Sequence, residues 1–125
     1  MDFTDLVTRA NSVRRPRDLS PDATAGTVGA ALETDQGNVY LGVCIDVPCS
    51  LGFCAEHAAI AAMITAGESR ITRIVAVGRS GVMPPCGRCR EFMVQVNHEN
   101  LAAEVMVAED TVVTVADLLP YHWQR

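Results

Sequence analysis

Two short stretches constrain this chain more than anything else in it. Residues 53–60 read Phe-Cys-Ala-Glu-His-Ala-Ala-Ile, and residues 84–90 read Pro-Pro-Cys-Gly-Arg-Cys-Arg. Cys86 and Cys89 are three positions apart, so at the start of a helix both sulfurs project to one side and can grip one ion. Cys54 also opens a helical run, and each helix follows a strand and a loop. A fold that joins all three must bring two helix N-termini to one edge of a sheet, where their positive dipole ends favour thiolate over thiol. Three thiolates are one ligand short of a closed structural zinc site. They match the number of protein ligands in a catalytic one, whose fourth position is left to water or substrate. Zinc is the expected metal, with iron its main competitor.

The remaining segments supply such a sheet. Phe3, Leu6, Val7 and Ala10 follow helical spacing and predict an amphipathic helix that ends before Pro16. Arg14, Arg15 and Arg17 around that proline read as a solvated loop. Apolar and β-branched runs at 27–32 and 38–43, joined by turn residues at 34–38, predict an antiparallel hairpin. A loop at 48–52 precedes an Ala-rich helix over 54–66, with Gly67 just past its end. The apolar run 71–77 predicts a central strand covered on both faces, followed by a loop over 78–85. A helix over 86–96, a strand over 104–108, a short strand at 112–115 and a helical turn into Leu118 and Leu119 complete the chain. The alternation predicts parallel pairing between the later strands, with the hairpin at one side of the same sheet. The expected fold is a three-layer α/β/α sandwich with a mixed central sheet, formed by residues 1–125 as one domain.

Charge and composition narrow the partner. A net charge of −5 works against nucleic acid, whose affinity comes from clustered cations, and favours a small molecule. The N-terminal acids Asp2 and Asp5 stand where a signal peptide carries base, and no stretch of about 18 uncharged apolar residues occurs, so a cytoplasmic protein with no membrane role is expected. Five cysteines without an export signal favour metal binding or free thiols over a disulfide framework. Cys44, in an apolar run, reads first as a small buried hydrophobe, and Cys49 as a loop residue.

Glu56 makes the site catalytic. Two positions beyond Cys54, its carboxylate reaches a water in the open fourth position without ligating the metal, which is the geometry of a proton shuttle. A glutamate that merely stabilises the helix dipole is the plainer alternative. Three thiolates on one dication make a poor Lewis acid, so donors to the sulfurs are needed; His57, Arg88 and Arg90 are the candidates. A non-catalytic zinc module would instead require a fourth protein ligand, for which His57 is the nearby nominee.

Cys54-Ala55-Glu56 together with Pro85-Cys86-Gly87-Arg88-Cys89-Arg90 resembles the cytidine deaminase superfamily of the three-cysteine zinc type. The resemblance extends to Val28-Gly29-Ala30-Ala31-Leu32 and Leu118-Leu119-Pro120. It implies a zinc-dependent hydrolytic deaminase of pyrimidine salvage, assembled as a homotetramer or dimer. Cys54, Cys86 and Cys89 would hold Zn2+, Glu56 would move protons, and His57 and Arg90 would support the ligands. Ala55, Pro85, Cys44, Asp46 and Trp123 would contact the substrate. The chain departs from nucleoside-acting members at two places: Gly26 and Thr27 stand where a phenylalanine is usual, and Cys44-Ile45-Asp46 replaces an Asn-x-Glu set. The wording Gly-Arg-Cys-Arg and the terminal Tyr121-His122-Trp123 also resemble the blasticidin-S deaminase branch, which accepts a bulkier pyrimidine nucleoside. A nucleic-acid-editing deaminase would share the motif but call for a basic channel.

Overall fold

The computed structural model describes residues 2–124. Helix α1 (Phe3–Val13) leads into β1 (Arg17–Ser20), β2 (Ala23–Thr34) and β3 (Val39–Asp46); α2 (Ala55–Thr65), β4 (Ile71–Gly78), β5 (Gly81–Met83) and α3 (Gly87–Val96) follow. After a 3-10 turn at His98–Ala102 come β6 (Glu104–Ala108), β7 (Thr111–Thr114) and the short α4 (Val115–Leu118). All seven strands join one mixed sheet. Across it run β3, β2, β4, β6 and β7, with β1 against the start of β2 and β5 against the end of β4.

Side chains alternate across the sheet, which explains its two apolar faces. Ala31, Val75 and Val77 meet Leu6 and Ala10 of α1 on one side. Ala30, Leu32, Ile74 and Ala76 meet Ala59, Ile60, Met63 and Met93 of α2 and α3 on the other. With both faces covered, the middle of the central strands is apolar on both sides, over 30–32 in β2 and 74–77 in β4. The result is the expected α/β/α sandwich.

The strand pairing differs from expectation in one respect. β3 and β4 point the same way, but β2 lies between them and pairs antiparallel with both. The parallel pair is β4 with β6, held at Arg73 to Glu104 and Ile74 to Val105. Two edge strands stand where loops were expected. Every residue of β1 is exposed, and β5 has only three residues, so neither carries an alternating apolar signal. Backbone pairing alone defines them.

Two residues set the helices on the sheet. Gly42 lets α2 lie directly on β3: a Cβ there would come within 2.6 Å of the Ala55 carbonyl oxygen and 2.7 Å of the Ala58 Cβ. Asn100, fully buried, ties the far end of α3 to the start of β4. Its Nδ2 donates to the Met93 and Ser69 carbonyls at 2.9 and 3.0 Å, and its Oδ1 accepts from the Ile71 N–H at 2.8 Å. No described helix is long and apolar enough to cross a membrane.

Because the atoms crowding Gly42 are largely backbone, Gly42→Ala is expected to cost about 1–3 kcal/mol of stability. A denaturant midpoint equal to that of the parent would contradict this packing.

Candidate active site

Helices α2 and α3 begin on the same side of the sheet, and cysteines occupy both caps. Cys54 is the N-cap of α2 and Cys86 that of α3, each in an extended conformation, while Cys89 lies in the first turn of α3. Serine or aspartate is usual at such a cap, where the side chain accepts from the first N–H groups. Here cysteine stands at both caps, and neither side chain closes a cap hydrogen bond. The three Sγ atoms lie within 4.8 Å of one another, with 3.5 Å from Cys54 to Cys86 and from Cys86 to Cys89. All five cysteines are free thiols.

The electrostatics of this cluster fit a cation. Burial pushes the Cys54 thiol up, and contact with Cys86 adds to the rise. Burial likewise raises Cys89, reinforced by the charge of Glu56. Burial works against the Cys86 thiolate too, but the first-turn N–H groups and the neighbouring thiols outweigh it and bring its pKa down. Three thiolates so close repel one another, and a bound dication relieves that repulsion. Zinc suits the donor set, and Cys54, Cys86 and Cys89 are the residues that would hold it.

Glu56 sits one residue inside α2 and is only 5% exposed. Burial raises its pKa. His57, on the next residue, is not a fourth member of the thiol group: its Nδ1 meets the Cys89 Sγ at 3.2 Å. Its ring stacks on Phe92, with centroids 4.4 Å apart and planes 12° from parallel. Burial, then repulsion from Arg88, lowers its pKa, so it is neutral at neutral pH. The tautomer with its proton on Nδ1 donates to the Cys89 thiolate. Arg90 behaves differently from the expected sulfur donor. Its Nε donates to the Pro85 carbonyl at 2.9 Å and its guanidinium to the Leu118 carbonyl at 3.1 Å, bracing the backbone just before Cys86.

A cavity of about 380 Å³ opens beside the cluster. Cys44, Asp46, Ala55 and Glu56 line it as expected, together with Cys54 and Cys86. Pro85 does not: it is buried behind the wall, and Pro84 takes its place. Trp123 lies elsewhere. It lines a separate hollow with Gln95, His98 and His122, and its N–H donates to Glu91 on α3, which holds the C-terminal segment off this cavity. Thr27, Val28, Phe53 and Met83 line the cavity without having been foreseen as contacts. Thr27 had a signal, since it falls where the sequence departs from the resemblance. Met83 had none, because its strand was unrecognised.

That departure has a structural cause. Gly26 adopts a positive φ of 85° within an irregularity in the β2 to β3 register, and any Cβ there would run into the Arg15 carbonyl. Only glycine fits this backbone, so a phenylalanine is excluded. Cys44, 7% exposed, is engaged internally: Thr27 Oγ1 lies 3.1 Å from its Sγ and the Val28 N–H donates to it at 3.3 Å. Asp46, exposed at the rim, lines the cavity, and its Oδ2 accepts from the Cys44 thiol at 3.9 Å.

Three thiols at two helix starts, with a buried carboxylate beside them on an α/β/α sheet, fit the arrangement of a zinc-binding deaminase. Residues 8–105 match the family model for the cytidine and deoxycytidylate deaminase zinc-binding region. A cytidine deaminase of Mycobacterium tuberculosis is 34% identical over 95 residues, spanning 74% of this chain and 69% of that protein. The crystal structure of cytidine deaminase from Mycobacterium tuberculosis aligns over 100% of this chain and 99% of its own, with a TM-score of 0.82 at 28% identity. That from Mycobacterium leprae aligns over 96% and 98%, with a TM-score of 0.79 at 27% identity. The chain belongs to the cytidine and deoxycytidylate deaminase zinc-binding family.

His57→Ala is expected to weaken zinc binding about 10–100-fold, the usual cost of losing a group that supports a ligand. Competition with a chromogenic chelator measures this. Unaltered affinity would show that the Nδ1 to Sγ contact contributes nothing to the metal site.

Proposed function

We propose that the chain is a zinc-dependent hydrolytic deaminase that releases ammonia from cytidine, deoxycytidine or a related aminopyrimidine nucleoside or base. The observation that carries this reading is the burial of Glu56 on the helix turn that Cys54 caps, inside a cavity of nucleoside size. When bound, zinc supplies an activated water by lowering its pKa towards neutrality. The other steps fall to side chains. A Glu56 Oε takes a proton from the attacking water and delivers it to the leaving amino nitrogen, so that the ring amine and water become a ring carbonyl and ammonia. Ala55 and the Phe53 wall close one side of the cavity, and His57 offsets thiolate charge at Cys89.

Gly26 favours a substrate other than plain cytidine. Without an aromatic side chain there, the nearby cavity wall is formed by Thr27, Val28 and Met83, which suits a bulkier aminopyrimidine nucleoside of the blasticidin-S type. The free thiols fit a reducing cytoplasm. Tyr121 at 95% exposure and Leu51 at 72% leave apolar surface suited to a homo-oligomer.

Glu56→Gln is expected to keep its zinc while turnover falls at least about 100-fold, the size of a lost general acid–base contribution. Ammonia release near the parental rate would end the mechanism. A panel of cytidine, deoxycytidine, cytosine, blasticidin S and isocytosine sorts the substrates, and a clear preference for cytidine would remove the bulkier reading. Light scattering at micromolar concentration is expected to give a multiple of the 13.4 kDa chain mass. A monomer would refute the oligomer.

A further inference from the structure

Helix α3 carries Cys89, and the two residues that follow it both reach towards the C-terminal segment. Arg90 donates from Nε to the Pro85 carbonyl at 2.9 Å and from Nη1 to the Leu118 carbonyl at 3.1 Å. One guanidinium thus joins the backbone ahead of Cys86 to the last residue of α4. Glu91 accepts the Trp123 backbone N–H on Oε1 at 3.0 Å. Its other oxygen, Oε2, is buried with no hydrogen-bond partner among the described residues. A carboxylate oxygen left in that state costs stability. A glutamate serving only the helix surface would turn both oxygens to water; this one is held inward, on the Trp123 N–H.

The segment runs on along the same helix. Gln95, one turn beyond Glu91, lines a hollow of about 420 Å³ with His98, His122, Trp123 and Gln124. Glu91 and Gln95 also border a cleft of about 410 Å³ with His57, whose Nδ1 meets the Cys89 sulfur. Residues 118–124 are therefore fastened to the helical turn that carries Cys89.

Two restraints then act on one turn. The far end of α3 is fixed by Asn100, which donates to the Met93 carbonyl at 2.9 Å. At the near end, a dication gripped by Cys86 and Cys89 would tie the cap to the first turn. Arg90 and Glu91 tie that turn to Leu118 and Trp123. The first N–H groups of a helix lack internal partners, and helix ends fray before helix centres. Each restraint lowers the ordering cost that the other must meet, and coupling of this kind is reciprocal.

Building on the zinc reading of the three thiols, we infer that Glu91 is a positioning residue for the metal centre. By holding the Trp123 N–H to the Cys89 turn, it links docking of residues 119–124 to zinc occupancy. The segment holds more tightly when the thiols carry zinc, and the thiols bind zinc more tightly when the segment is docked.

Competition with a chromogenic chelator on the full chain tests the linkage. Zinc affinity is expected to fall at least about threefold in Glu91→Ala, and by a similar factor in Trp123→Pro, which removes the same N–H. The double variant is expected to bind zinc no more weakly than the more affected single variant. Trp123 lies outside every helix and strand, so Trp123→Pro decides alone should Glu91→Ala fail to fold. Trp123 is also the only tryptophan in the chain, and its emission is expected to shift to longer wavelength and quench more readily on chelation, with far-UV circular dichroism retained. Additive losses, as a bare charge effect of Glu91 on the dication would give, or parental affinity in Trp123→Pro, would overturn the linkage. Tryptophan emission and quenching that ignore zinc would do the same. A parent chain that binds no zinc removes the metal reading together with the linkage, whereas variants that match a zinc-binding parent remove the linkage alone.

Discussion

Mutual repulsion among three sulfurs is the constraint on which the rest of this structure depends. Cys54, Cys86 and Cys89 stand too close to be anionic together without a cation, and burial raises two of them further. The fold answers with geometry. Two helix N-termini meet at one end of the sheet, and their unsatisfied N–H groups and positive ends favour negative charge there. His57, pressed against Phe92, adds a donor to Cys89. Arg90 holds the backbone ahead of Cys86 by bonding two carbonyls.

Packing keeps these helices in place. Gly42 allows α2 to lie flat on β3, so Cys54 and Glu56 are positioned by contact between backbones rather than by long side chains. Asn100 does the same for α3 from the opposite end, satisfying three backbone groups with one side chain. A site held this way is rigid, as pre-organised catalysis requires. The substrate side is built more loosely, from an exposed methionine, a glycine bulge and the rim residue Asp46.

The legible parts of the chain were those with period and spacing. The first helix, the hairpin, the two site helices and the central strand each carry an apolar pattern, and C-x-x-C with Cys54 and Glu56 marks the chemistry. What stayed hidden lacks such a pattern. β1 and β5 are edge strands that pair through backbone only, and the insertion of β2 between β3 and β4 is a long-range choice that no local run encodes. Pro85 and Pro84 differ in which of them faces the cavity by the turn of one peptide. Trp123 belongs to a terminal run that resembles the blasticidin-S deaminase branch, yet its N–H is held by Glu91 on α3.

X-ray absorption at the zinc edge tests the central claim most directly, because it counts the sulfurs around the metal in the intact protein. Three sulfur scatterers at about 2.3 Å and one lighter atom at about 2.0 Å are expected from a three-thiolate site with an open fourth position. Four protein-derived scatterers with an imidazole pattern from His57, or fewer than three sulfurs, would contradict the account.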